Sequence, residues 1–192
     1  MLAAILLTVS GMTQAEALHQ IDGFRQAHFG MTPAQLQQTV VKDFGPGAQL
    51  VAVSESEWRL DLPALSPGPG PAAIFYHFAG RQPVLERINV AWGYQQQVTR
   101  QQRDEIGFAA MHLAKYFAAL PWKPDGAVTG VSLKAGEVAT FIGVDPKDAV
   151  VQVIAQGVPT TGADGQTFVP QGPAILSVTY MRNAGAVHDV SH

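Results

Sequence analysis

The stretch FGMTPAQLQQTVVKDFG, residues 29–45, sets the architecture of the chain. Thr32 is an N-cap residue, and Pro33 falls at the first helical position, where its missing N–H costs nothing. Gln35, three residues after Thr32, completes a capping box, and Met31 and Leu36 are placed to staple the entry. Leu36, Val40 and Phe44 recur every four residues as one apolar stripe. Lys42 suits the last turn, and Gly45-Pro46 ends it. The spacing predicts a helix from Pro33 to Phe44.

The same grammar returns downstream. Thr99 is followed three residues later by Gln102, a second capping box. Ile106, Ala110, Leu113, Phe117 and Leu120 carry an apolar stripe that stops at Pro121. Between the helices, residues 49–54 and 58–62 read as strand, with Trp58, Leu60 and Leu62 alternating with Arg59 and Asp61. Residues 72–78 and 84–92 are strands joined by a turn at Gly80-Arg81-Gln82-Pro83. After the second helix, strands are expected near 128–133, 138–144, 149–155 and 174–181. The 149–155 run is apolar on both faces and belongs inside a sheet. The LSPGPGP segment, residues 65–71, and the Gly/Thr/Pro-rich residues 157–172 are loops. The first loop also has the composition of a docking peptide.

The expected fold is α+β, a helix followed by a three-stranded antiparallel sheet, twice, with one continuous sheet as an option. The divisions are 18–95 for the first half, 96–183 for the second, and 184–192 as a tail. The case for duplication rests on element order, because the halves share negligible sequence identity.

Residues 1–17 read as a secretory signal peptide. Leu2 to Val9 form a short apolar core, too short to span a bilayer, and Ala15-Glu16-Ala17 is an A-x-A cleavage site, so the mature chain starts at Leu18. No Lys or Arg precedes that core. An exported chain with no cysteine fits a bacterial periplasm better than a eukaryotic secretory route. It also has no disulfides, thiol chemistry or iron–sulfur ligation. Charged residues are only 14% of the chain, the net charge is −3, and no basic block exists, which argues against nucleic acid as a partner. No other segment is apolar enough to span a membrane.

No nucleophile elbow, S-x-x-K, H-E-x-x-H, P-loop or dinucleotide fingerprint occurs. No cofactor or metal is expected. The tail motif His188-Asp189 with His192 offers at most a weak metal contact. His77, on an apolar strand, and Glu86, on its hairpin neighbour, form either a cross-strand acid–base pair or a hydrogen-bonded surface pair. Trp92, Tyr94, Tyr116 and Trp122 gather around the ends of the second helix. They are either binding hot spots or the cover of the junction between the halves.

At Gly30-Met31-Thr32-Pro33-Ala34-Gln35-Leu36 the chain resembles the G-M-[ST]-x-x-x-[VL] opening of BamE-like (SmpA/OmlA) periplasmic domains. That resemblance implies a helix followed by a three-stranded antiparallel sheet, in an envelope protein that works by binding other proteins. This chain departs from it in lacking a lipobox cysteine and in adding a second helix-plus-sheet half. The tandem order is similar to the β-lactamase-inhibitor-protein architecture. The expectation is an exported, non-enzymatic binding or accessory protein of the cell envelope, whose partner is another envelope protein or a small ligand. The alternative is a small hydrolase or isomerase with a site between the halves, involving His77 and Glu86.

Overall fold

The computed structural model describes residues 17–161, 165–183 and 185. The signal segment, apart from Ala17, and the tail, apart from Gly185, lie outside them, as does the expected loop tip at Asp164. Chain order begins with a small hairpin, β1 (Gly23–Phe24) and β2 (Ala27–His28), followed by α1 (Pro33–Phe44). Next come β3 (Leu50–Ala52), β4 (Glu57–Leu62), β5 (Ala72–Ala79), β6 (Val84–Tyr94) and α2 (Arg100–Ala118). The chain closes with β7 (Ala127–Lys134), β8 (Glu137–Val144), β9 (Val150–Gln156), the minor pair β10 (Thr160–Thr161) and β11 (Thr167–Phe168), and β12 (Ala174–Met181).

Both helices begin where the caps place them. In each, the Thr hydroxyl accepts from the Gln N–H and the Gln side chain accepts from the Thr N–H, at Thr32/Gln35 and at Thr99/Gln102. Local sequence fixes these ends because all partners lie within four residues.

The large sheet has eight antiparallel strands in the order β3-β4-β5-β6-β12-β9-β8-β7. The fold is α+β, and each helix is followed by four strands of this sheet, not three. After α1 the extra strand arises where residues 53–56 turn the chain back on itself; after α2 the four runs expected at 128–133, 138–144, 149–155 and 174–181 each form a strand of the sheet. Val53 and Ser54 N–H donate to the Glu57 carbonyl, so β3 and β4 form a hairpin. The lead-in before α1 also holds the β1–β2 hairpin, which its irregular pattern did not signal.

One face of the sheet is packed. Ile74, Tyr76 and Phe78 on β5, Ile88, Val90 and Trp92 on β6, Leu176 and Val178 on β12, and Val151 and Val153 on β9 are all buried in one cluster. The helices cover this face. Leu36 and Val40 of α1 and Ile106, Ala110 and Phe117 of α2 join the same cluster, and α2 lies across β7, β8, β9 and β12. Each fully buried aliphatic or aromatic side chain contributes about 1.5–3 kcal/mol.

Two buried charged groups tie loops to this core. Asp145 is fully buried, and its carboxylate accepts from the N–H groups of Ile21 at 2.9 Å, Lys147 at 2.7 Å and Ala149 at 2.9 Å. It pins the N-terminal segment to the β8–β9 turn. Arg103, on α2, donates to the carbonyls of Gly157 and Gly172, each at 2.7 Å. It thereby holds both ends of the loop that carries β10 and β11.

Candidate functional site

The other face of the sheet is open. Strand alternation sends Arg59, Asp61, Ala73, Phe75, His77, Arg87, Asn89 and Ala91 to it, along with Ser177 and Thr179 of β12. These side chains are half-buried or exposed. Register aligns them in rows across the strands. Glu57, His77 and Arg87 form one row; Arg59, Phe75, Asn89 and Thr179 the next; Asp61, Ala73, Ala91 and Ser177 the third.

The third row is a trench, because its central side chains are small. Together with Gly93 it floors a groove of about 560 Å³. Arg59, Asp61 and Phe75 wall one side, and Tyr94, Gln95 and Gln96 another. The walls are pre-set. Arg59 donates through Nε and Nη2 to Asp61 Oδ1, at 2.8 and 2.6 Å, and its guanidinium lies 5.4 Å from the Phe75 ring centre. An exposed ion pair of this kind adds little stability; its effect is to hold a planar cation over an aromatic ring. The groove therefore offers an apolar floor and hydrogen-bonding walls, the general make-up of a ligand site.

The first row forms a second, smaller recess of about 290 Å³, lined by Ser56, His77, Glu86, Arg87 and Asn183. His77 and Glu86 both line it, but no hydrogen bond joins them. Glu86 accepts from Arg182 at 2.8 Å. His77 Nδ1 lies 3.0 Å from a Glu57 carboxylate oxygen and 3.2 Å from Arg87 Nη2. Burial pushes the imidazole down to about 4, and the Arg87 charge acts in the same sense. The Glu57 carboxylate pulls the other way, but a neutral ring satisfies it by donating Nδ1–H, so burial decides. A neutral imidazole makes one of these bonds at a time: Nδ1 either donates to Glu57 or accepts from Arg87.

The four aromatic candidates separate into two pairs. Trp92 is buried beneath residues 63–71, and its indole N–H donates to the Leu65 carbonyl. Gly68 lies flat on that ring; a Cβ there would sit 2.3 Å from the indole. Tyr94 donates to Glu105 at 3.1 Å and lines the groove. Burial, reinforced by Glu105, raises its pKa. At the other end of α2, Trp122 is half-buried, donates to the Phe117 carbonyl at 2.7 Å and packs on Phe141 and His19. Tyr116 is exposed. Of the four, Trp92 and Tyr94 border the open-face groove, and Tyr116 and Trp122 do not.

Sequence reading put Arg59 and Asp61 on one strand face and raised Arg59, with Arg81, Arg87 and Arg182, as a candidate anion contact, but it did not join Arg59, Asp61 and Phe75 into one site. Glu57, the partner of His77, required the β4–β5 register. Among the described residues, no group of three or more His, Asp or Glu side chains is placed to hold a metal ion, and no helix is long and apolar enough to cross a membrane. Comparison with protein-family models, with curated proteins and with solved structures finds no match to this chain.

Proposed function

We propose that this chain is an exported, non-enzymatic binding protein of the bacterial cell envelope that receives its partner on the open face of the eight-stranded sheet. The observation that carries the reading is the groove of about 560 Å³ over Ala73, Ala91 and Gly93, walled by Arg59, Asp61, Phe75 and Tyr94. A preformed concave site with an apolar floor and a few fixed polar groups is what recognition requires. Export rests on the signal-like residues 1–17. The two runs of one capped helix and four strands support an ancestral duplication, with β6 and β12 as the seam between copies.

The test is site-specific photo-crosslinking in cells. A photoreactive residue replaces Phe75 or Ala91, and exposed Gln37 on α1 serves as control. Adducts recovered from the periplasmic fraction at the two groove positions and not at Gln37 are expected, and their loss in an Arg59→Ala/Tyr94→Ala background. Absence of the protein from the periplasmic fraction, or equal adducts at Gln37, counts against the proposal.

One observation favours a second reading, a hydrolase or isomerase centred on His77. The ring is neutral at neutral pH and opens on the same recess as Glu86, so it is available as a base. His77→Gln abolishing turnover in a panel of ester and isomerase substrates supports this; no turnover by the unaltered protein removes it.

A further inference from the structure

The outward side of α2, away from the core, carries a pattern that the single chain does not use. Asp104, Phe108, Met111 and Lys115 fall within about 60° of arc on one helix stripe. Phe108 is 61% exposed and Met111 55%. Arg100 continues the stripe toward the N-terminus. Among the described residues, Arg100, Asp104 and Lys115 are in no ion pair. Beside Phe108 lies an apolar groove of about 350 Å³, lined by Gly107, Met111, Val138, Thr140, Val158 and Pro159.

Gly107 is the telling residue. A glycine inside a helix is unfavourable relative to alanine, and it is kept where something must come close. Within this chain nothing does: a Cβ at position 107 would meet no atom nearer than Val158 Cγ1 at 4.0 Å. Its φ is not positive, so the backbone does not demand glycine either. The hollow it leaves opens outward, into the groove.

We infer that α2 is a homodimer interface, in which a second copy of this chain packs antiparallel against the first across a two-fold axis between Phe108 and Met111. The stripe is self-complementary about that point. Phe108 meets the partner's Met111, and Asp104 meets the partner's Lys115. The partner's Met111 falls on the same flank of the stripe as Gly107 and comes over its hollow. Arg100 reaches the C-terminal end of the partner's helix, where cations are favoured. An isologous contact uses the same patch on both copies, so the patch must complement itself, as this stripe does. A helix of 19 residues presents a face about 28 Å long, which places the interface at the small end of specific ones. Assembly is therefore weak. Because α2 covers the packed face of the sheet, the dimer leaves both open faces free.

Sedimentation of the purified protein from about 1 to about 500 µM tests this. A concentration-dependent monomer–dimer equilibrium is expected. Phe108→Glu should hold the protein monomeric with unchanged circular dichroism. Gly107→Ala should move two readouts in opposite directions: melting temperature at low concentration rises, while dimer affinity falls at least tenfold. Asp104→Lys should weaken the dimer, and adding Lys115→Asp should restore it, a rescue specific to the two-fold antiparallel arrangement. A monomer throughout the range overturns the inference. So does a dimer insensitive to Gly107→Ala, or a monomer carrying a co-purified amphiphile in the groove.

Discussion

Asp145 shows how much one side chain can organise. Its three acceptor bonds serve N–H groups of Ile21, Lys147 and Ala149, and burial leaves those donors without water. Asp145→Ala is expected to cost about 3 kcal/mol, through unsatisfied donors more than through lost attraction. It should also free the N-terminal lead-in, which urea midpoints and hydrogen exchange at Ile21 will show. His77 makes a pH-dependent contribution. Its folded value of about 4 lies below the unfolded value near 6.5, so folding favours the neutral ring. Stability from this group is complete above about pH 6.5 and is lost as the pH falls toward 4, where the unfolded chain binds the extra proton. The loss at pH 4.5 is on the order of 2 kcal/mol. Urea titrations at pH 7 and 4.5 should show His77→Gln reducing the difference between the two. Neither role was legible in the sequence. Asp145 falls in the short connection between the strands expected at 138–144 and 149–155, and its bond to Ile21 spans 124 positions. His77 stood out, but its partner depended on a register that no local pattern encodes.

Elements whose determinants lie within a few residues were the readable ones. Both helices start at their capping Thr because cap and partner are three apart. Thr99→Ala should cost about 1 kcal/mol, measurable as a shift in thermal midpoint. The β3–β4 hairpin was harder: a kink in one long strand and a turn between two short ones share the same Ser and Glu residues. The 63–71 loop was legible as irregular chain but not as a cover. Its composition forbids regular structure, yet what it covers, Trp92, is set by packing. Gly68→Ala places a methyl group against the indole. The loop should lift, the Trp92 emission should shift to the red, and stability should fall by about 1–3 kcal/mol. A docking peptide would instead tolerate the change, since it would pack on nothing in its own chain.

At the scale of the molecule, the sheet separates two tasks. One face holds the fold together beneath two helices, and the other presents the groove. Alternation along the strands made this division legible, as where Trp58, Leu60 and Leu62 alternate with Arg59 and Asp61. The groove itself was not, because Ala73, Ala91 and Gly93 are unremarkable until register lines them up. Strand order has a further outcome. β12 lies between β6 and β9, yet it is the last strand among the described residues. The ribosome, and any export channel that passes the chain N-terminus first, delivers the central strand at the end. Until then β6 and β9 are bare edges, and edges of that length recruit other strands. A chain stopped after Pro173 should therefore aggregate and leave no soluble half, whereas removal of residues 186–192 should be harmless. The protein's vulnerable period is thus written into its topology: it lasts from the emergence of the first hairpin until the final strand closes the seam.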